Sequence, residues 1–154
     1  MTDYRVIIAG SRSFNDYELL REHCLSVLQE KMKTHRIIIV SGHAHGADSL
    51  GERFAKEFSL PFELHPAKWS LLGKAAGMVR NAEMAKCSDE LIAFWDGESS
   101  GTRHMINFAR KRGLAISVID TTLQNSIDNN SQTTKKDAIT TPNEEKLAIK
   151  YCHR

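Results

Sequence analysis

The sequence predicts an α/β fold with about five parallel strands in a doubly wound sheet, covered by helices on both faces. Short apolar runs alternate along the chain with longer segments of helical periodicity. The connections between them are short and rich in glycine, serine and aspartate. Strands that alternate with helices form parallel sheets, and right-handed crossovers favour the strand order 3-2-1-4-5. We therefore expect a Rossmann-like domain.

The strands are predicted from runs of apolar and β-branched residues that stop at polar loops. The clearest run is Ile37-Ile-Ile-Val40, which ends at Ser41-Gly42. The expected strands are 4–9, 36–40, 60–65, 90–95 and 114–120.

The helices are predicted from apolar residues that recur on one face. Asp16 is placed to cap the first helix, and Gly113 follows the last one at a position typical of a helix end. The expected helices are 16–31, 47–58, 74–86 and 103–112, and residues 66–73 are predicted to be a loop.

The chain divides into a domain over residues 1–120 and a polar tail over 121–154. Residues 121–141 are almost devoid of apolar side chains, so they cannot bury enough surface to offset the entropy of ordering. We predict a flexible tail, with a short helix over 143–151 suggested by Leu147, Ile149 and Tyr151.

Composition narrows the class of protein. The chain has 154 residues and a net charge of +2, which is small for a protein that neutralises nucleic-acid phosphates. No apolar run approaches the length of a membrane span, so no membrane partner is expected. Cys24, Cys87 and Cys152 form no CxxC pair and are predicted to be reduced thiols. With no signal peptide in view, a cytoplasmic location is expected.

Ligands of such sheets bind beyond the carboxyl ends of the strands, where the strand order reverses. The loops that meet there are rich in cations and small hydrogen-bond donors, which suit a phosphorylated ligand. Trp69 could stack on a base or pack on a sugar. The cations and donors are Arg12, Lys68, Lys74, Arg80 and Arg103, with Ser11, Ser41, Ser99, Ser100 and Thr102.

Other motifs are absent or incomplete. Neither Gly-x-Gly-x-x-Gly nor a P-loop is present, which disfavours ordinary dinucleotide or Walker-type binding. His43 and His45 with Asp48 lack the ligand spacing of zinc hydrolases, so we predict neither a metal nor a cofactor. The histidines are interpreted as exposed turn residues that could face an anion. Asp48 is expected to cap its own turn or to hydrogen-bond a ribose hydroxyl.

Five motifs follow one another along residues 1–120. They are Gly10-Ser-Arg-x-Phe-x-Asp16, Ser41-Gly-x-Ala-x-Gly-Ala-Asp48, Pro66-Ala-Lys-Trp69, Gly73-Lys-Ala-Ala-Gly-x-x-Arg80-Asn81-x-x-Met84 and Trp95-Asp-Gly-x-Ser-x-Gly-Thr102. Taken together, these motifs resemble the YspA-like branch of the SLOG superfamily, which also contains DprA and the LOG phosphoribohydrolases.

This resemblance implies a sensor or sequestering domain for a nucleotide-derived ligand, such as a nucleoside monophosphate or an ADP-ribose or NAD derivative. Backbone N–H groups of Gly10-Ser11 and Gly101-Thr102 would hold phosphate, with Arg12 and Arg80 as charge partners. Superfamily relatives commonly pair through helices, so a homo-oligomer is compatible with it. The expected ligand-binding residues are Gly10, Ser11, Arg12, Ser41, Gly42, His43, His45, Asp48, Trp69, Lys74, Arg80, Asn81, Ser100, Gly101 and Thr102.

The sequence also departs from the superfamily pattern. His43 and His45 stand where relatives carry a glycine and an arginine, and Met105 stands where the LOG enzymes carry their catalytic glutamate. An N-glycoside hydrolase is therefore the alternative, with Asp96 or Glu98 as the catalytic carboxylate. The sequence leaves open whether the protein is an enzyme. Single-strand DNA binding, as in DprA, is disfavoured by the small net charge.

Overall fold

The computed structural model describes residues 1–122 and 148–149, and its centre is a six-stranded parallel sheet. The strands are β1 Thr2–Gly10, β2 His35–Ser41, β3 Phe62–Leu64, β4 Glu90–Trp95, β5 Ala115–Asp120 and β6 Ala148–Ile149. Their order in the sheet is β5-β4-β1-β2-β3-β6, so the predicted order 3-2-1-4-5 is confirmed for the first five strands.

Helices cover both faces of this sheet, as predicted. The helices are α1 Tyr17–Leu28, α2 Lys31–Thr34, α3 Ala47–Glu57, α4 Trp69–Leu72, α5 Ala76–Cys87 and α6 Ser100–Lys111, with a 3₁₀ turn at Gly73–Ala75. Alternate residues of β1 point to opposite faces: Val6 and Ile8 pack with α1 and α3, while Ile7 and Ala9 pack with α5 and α6.

The register of the central strands brings their carboxyl ends to one edge. Ile7 pairs with Val40 in β2, and Gly10 pairs with Phe94 in β4. The loops that follow β1, β2 and β4 therefore begin side by side. This is the edge at which the sequence predicts a ligand site.

Three helical predictions need correction. The predicted 66–73 loop contains α4, and the first helix ends at Leu28, with the separate short helix α2 after it. The last helix begins at Ser100 rather than 103, because the hydroxyl of Ser99 caps it by accepting a hydrogen bond from the Thr102 N–H. Ser100, Gly101 and Thr102 are thus helical residues.

The tail prediction falls mainly on residues 123–147 and 150–154, which lie outside the described residues. Within it, the expected 143–151 helix is wrong at Ala148–Ile149, which pair in parallel with Phe62 and Glu63 of β3. Without this pairing, the outer edge of β3 would leave its backbone N–H and C=O groups without strand partners. Isoleucine is β-branched, and such residues favour strands.

Two further sequence-based expectations can be compared with the structure. Cys24 is a free, buried thiol, whereas Cys87 is disulfide-bonded, which corrects the prediction of a reduced thiol at Cys87.

Among the helices of the described residues, none combines the length and the apolar character that a membrane crossing requires.

Candidate functional site

The turn between β2 and α3 is shaped by two glycines. A Cβ on Gly42 would lie 2.6 Å from Nη1 of Arg80 and 2.8 Å from Oδ2 of Asp48, so only glycine fits without displacing them. Gly46 has a φ of +79°, and a Cβ there would lie 2.3 Å from the carbonyl oxygen of Ser11. Both glycines therefore allow the turn to pack closely against the neighbouring loop and against α5.

Arg80, a residue of α5, links this turn to α5 and, through Asn81, to α6. Its Nη1 donates a 2.6 Å hydrogen bond to the carbonyl oxygen of Gly42, and its Nε donates to Oδ1 of Asn81 at 2.9 Å. The Nδ2 of Asn81 in turn donates to the carbonyl oxygen of Gly101 in α6 at 3.1 Å. Two acceptors thus bind the guanidinium of Arg80. Together they fix its orientation, which a single hydrogen bond would not do.

Asp48 lies buried beneath the same turn, where its Oδ2 accepts a 3.2 Å hydrogen bond from the Ala44 N–H. Burial raises the pKa of the Asp48 carboxyl to about 6, although the nearby positive charge of Arg80 acts in the opposite direction. Burial also lowers the pKa of Arg80. The predicted capping role of Asp48 in its own turn thus has a structural basis in the Ala44 contact.

A cavity of about 180 Å³ opens at this point, and its walls come from four separate segments of the chain. The guanidinium carbon of Arg12 lies 5.9 Å from the centre of the Trp69 ring, within cation–π range. Two arginines at one small opening favour an anion, and the exposed indole offers a flat apolar surface beside it. The lining residues are Arg12, Gly42, His43, Ala44, Pro66, Ala67, Trp69 and Arg80.

His43 adds an ionisable group to this cavity. Its backbone has a φ of 57°, and its Nδ1 lies 3.1 Å from Oε1 of Glu52. The hydroxyl of Ser41 donates to Glu52 at 2.8 Å and accepts from the His43 N–H at 3.1 Å. Sequence reasoning missed Glu52. Its only sequence signal is a position four residues after Asp48, on the same face of α3.

A second cavity, of about 300 Å³, is lined by carboxylates instead of arginines, and its lining residue Ser11 directly precedes Arg12 of the first cavity. Oδ1 of Asp96 accepts hydrogen bonds from the N–H groups of Glu98 and Ser99, each at 2.8 Å, and these bonds hold the pKa of Asp96 below its usual range. None of the carboxylates that line the second cavity also lines the cavity that contains Arg12 and Arg80. The lining residues are Ser11, Ser13, Phe14, Asn15, Asp16, Leu19, Asp96, Glu98, Thr121 and Thr122.

The predicted ligand-binding residues divide into four groups. Arg12, Gly42, His43, Trp69 and Arg80 line the first cavity, and Ser41, Asp48 and Asn81 support it from behind. Ser11 lines the second cavity. The remainder line neither cavity: Gly10, His45, Lys74, Ser100, Gly101 and Thr102.

Two of the predicted phosphate contacts through backbone N–H groups, those of Ser11 and Thr102, need correction. The Ser11 N–H donates to the carbonyl oxygen of Phe94 at 3.1 Å, as part of the sheet edge. The Thr102 N–H donates to the capping hydroxyl of Ser99. These two donors are already used inside the protein, so a phosphate at the first cavity would depend on side chains instead.

The structure also shows the surroundings of Met105, the residue at the position of the LOG glutamate. Met105 is 1% exposed and packs in the core between α6 and the sheet. It lines neither cavity.

Comparisons with known proteins agree on the fold. The structure is similar to DprA from Streptococcus pneumoniae, with a TM-score of 0.59 and 14% identity over 84% of this chain. This chain spans only 57% of that protein. It is also similar to DprA from Helicobacter pylori, with a TM-score of 0.56 and 20% identity over 85% of this chain and 75% of the other. For TM1055 the TM-score is 0.52, with 16% identity over 75% and 72% of the two chains.

Sequence comparison identifies a family. The chain is 36% identical over 118 residues to the Gene 61 protein of Mycobacterium phage D29, covering 73% of this chain and 93% of that protein. Residues 4–71 match the sequence profile of the family described as YspA, cpYpsA-related SLOG. The protein therefore belongs to the YspA, cpYpsA-related SLOG family.

Proposed function

We propose that this protein binds a nucleotide or nucleotide-derived molecule at the carboxyl edge of its sheet, as a sensor or a sequestering domain. The observation that carries the proposal is the convergence of Arg12, Arg80 and Trp69 on one cavity. The two guanidinium groups would hold a phosphate, and the indole would cover the ribose or the base.

The size of the first cavity constrains how such a ligand would bind. At about 180 Å³ it is smaller than a pocket that encloses a drug-sized molecule, which takes about 300–1,000 Å³. A phosphate and part of a sugar fit this space. The remainder of the ligand would extend over Trp69, which is 50% exposed.

Isothermal titration calorimetry against AMP, ADP-ribose, NAD and cyclic ADP-ribose tests the proposal, with adenosine and inorganic phosphate as partial ligands. We expect at least one nucleotide to bind, and to bind more tightly than either partial ligand. A folded protein that gives no heat with any member of the panel would contradict the proposal.

Matched arginine variants test the location of the site. Arg12→Gln removes an exposed guanidinium at the cavity, whereas Arg36→Gln removes an exposed guanidinium on β2 that pairs with Asp3 at 3.4 Å. We expect weaker nucleotide binding only in Arg12→Gln. Equal losses in both variants would show that the overall charge, rather than this cavity, attracts the ligand.

N-glycoside hydrolysis is the second candidate, because the carboxylates of Asp96 and Glu98 line the cavity next to the arginines. A ligand whose phosphate lies at Arg12 could place its ribose toward that cavity, since Ser11 and Arg12 are consecutive. Chromatography of the incubated panel distinguishes the two functions. Release of free base, abolished in Asp96→Asn, would support hydrolysis, and recovery of intact ligand would support sequestration.

A single-stranded oligonucleotide belongs in the same panel. The fold resembles that of Helicobacter pylori DprA, whose structure is described in terms of its single-stranded DNA binding mode. We expect weak binding at most, because the net charge is only +2. A tight, salt-dependent mobility shift would replace the nucleotide proposal with nucleic-acid binding.

A further inference from the structure

A buried polar cluster lies outside both cavities. It contains Glu63 in β3, His65 just after β3 and Cys87 at the end of α5. These residues are 1%, 6% and 4% exposed, respectively. One oxygen of Glu63, one ring nitrogen of His65 and the sulfur of Cys87 all lie within 4.8 Å of one another. Carboxylate, imidazole and thiolate are the three common protein ligands of zinc.

Two atoms of this cluster lack hydrogen-bond partners among the described residues. They are Oε2 of Glu63 and Nε2 of His65, which lie 4.0 Å apart and therefore too far for a hydrogen bond. Buried polar atoms are nearly always satisfied by protein, water or an ion. Two unsatisfied atoms that face each other thus point to a bound species between them.

The surroundings hold both ligands in place. Nε of Arg5 donates a 3.0 Å hydrogen bond to Oε1 of Glu63, which leaves Oε2 directed toward His65. The backbone N–H of His65 donates to the carbonyl oxygen of Ser41 at 2.8 Å. Supporting contacts of this kind orient metal ligands in known sites. Bonds of about 2.1 Å at tetrahedral angles place two ligand atoms roughly 3.4 Å apart, so a small closure from 4.0 Å suffices.

Cys87 gives the cluster a redox dependence, because it is disulfide-bonded and a disulfide sulfur is a poor zinc ligand. We propose that reduction of the Cys87 disulfide completes a zinc site formed by Glu63, His65 and Cys87. A dithiol reductant supplies two electrons and two protons to the disulfide and is itself oxidised to a disulfide. The released Cys87 thiol then loses its proton to solvent as Zn²⁺ binds.

The site would connect two of the four segments that line the first cavity. His65 directly precedes Pro66 and Ala67, which line that cavity, and Cys87 ends the helix that carries Arg80. A shared ion would therefore fix β3 to α5. The proposal does not depend on the identity of the nucleotide.

Metal titration of the full chain tests this site. Zn²⁺ is titrated against a chromophoric chelator before and after treatment with dithiothreitol, and Co²⁺ is added to detect a thiolate charge-transfer band. We expect one Zn²⁺ per chain and a cobalt–thiolate band in the reduced protein, with at least tenfold weaker binding in the oxidised protein. A reduced, folded protein that binds no Zn²⁺ would overturn the proposal.

Variants identify the ligands. His65→Gln leaves the Arg5–Glu63 pair intact, and Cys87→Ser removes only the sulfur. We expect each to lower Zn²⁺ affinity at least tenfold in the reduced state. The controls are His45→Gln, an exposed histidine, and Cys24→Ala, a free thiol in α1. Unchanged binding in His65→Gln or Cys87→Ser, or equal losses in the controls, would assign the metal to other groups and reject this site.

Discussion

The carbonyl oxygen of Gly42 accepts a 2.6 Å hydrogen bond from Nη1 of Arg80, although the two residues are 38 positions apart. This bond joins the turn after β2 to α5 and fixes one wall of the candidate site. It depends on the absence of a side chain at Gly42. The first two predictions test this relationship.

Gly42→Ala is expected to lower the free energy of unfolding by about 1–3 kcal/mol, as overpacking commonly does. The new Cβ would lie 2.6 Å from Nη1 of Arg80, so the guanidinium must move, and nucleotide affinity should fall as well. Urea denaturation measures the change in stability, and calorimetry measures the change in affinity.

Gly101→Ala is the control for stability, because Gly101 lies in a helix and a Cβ at this position would have no atom within 4 Å. That variant should be neutral or up to about 1 kcal/mol more stable. Wild-type behaviour of Gly42→Ala would show that the contact is unimportant.

Asn81→Ala is expected to cost about 1–3 kcal/mol of stability, because it leaves the Arg80 Nε and the Gly101 carbonyl without their partner. A double-mutant cycle with Arg80→Gln, measured by urea denaturation, separates the shared interaction from the two single effects. We expect a coupling energy above about 0.5 kcal/mol, since the side chains are in direct contact. Simple additivity would argue against a connected network.

Trp69→Ala is expected to change stability by no more than about 0.5 kcal/mol, as exposed positions usually do. If the indole covers the ligand, nucleotide affinity should fall about tenfold or more, since stacking contributes about 1–3 kcal/mol per base. Calorimetry with the nucleotide that binds the wild type measures this loss. Trp95→Phe is the matched control, because Trp95 donates to the Ser99 carbonyl at 3.0 Å and lines neither cavity. A loss confined to Trp95→Phe would place the ligand elsewhere.

Asp48 should make stability depend on pH in a direction that is unusual for an acid. Its pKa is raised to about 6, so between about pH 4 and pH 6 the folded state binds more protons than the unfolded state. The stabilisation from that proton is complete below the unfolded pKa and is lost as the pH rises through the folded pKa. The stability of the wild type minus that of Asp48→Asn should therefore decrease by up to about 3 kcal/mol from pH 4 to pH 7.

The comparison with Asp48→Asn is necessary because other carboxyl groups titrate in the same range. Asp96 has a lowered pKa, so its contribution is present above the unfolded pKa and is lost as the pH falls. Denaturation of Asp96→Asn should accordingly show a difference from the wild type with the opposite slope. A wild-type minus Asp48→Asn difference that is flat or increases with pH would contradict the buried carboxyl proposed here.

The fold and the family followed largely from the sequence. Apolar periodicity and short polar connections are local signals, and they predicted the strand order and most helix positions. The errors occurred where local signals compete with tertiary contacts. The Ser99 cap extends the last helix at its start, and the edge of β3 pairs with Ala148–Ile149 as a strand.

The sequence by itself determined that this chain forms a parallel sheet and that its cationic loops meet at one edge. That much depends only on residue type, periodicity and chain order. Tertiary structure alone decided how the loops divide into a cavity with two arginines and a cavity with carboxylates, and that the Ser11 N–H is already bonded to Phe94. The physical reason is that hydrogen bonds and side-chain packing act between residues far apart along the chain. Their distances are set by strand register and close packing, which no local pattern encodes.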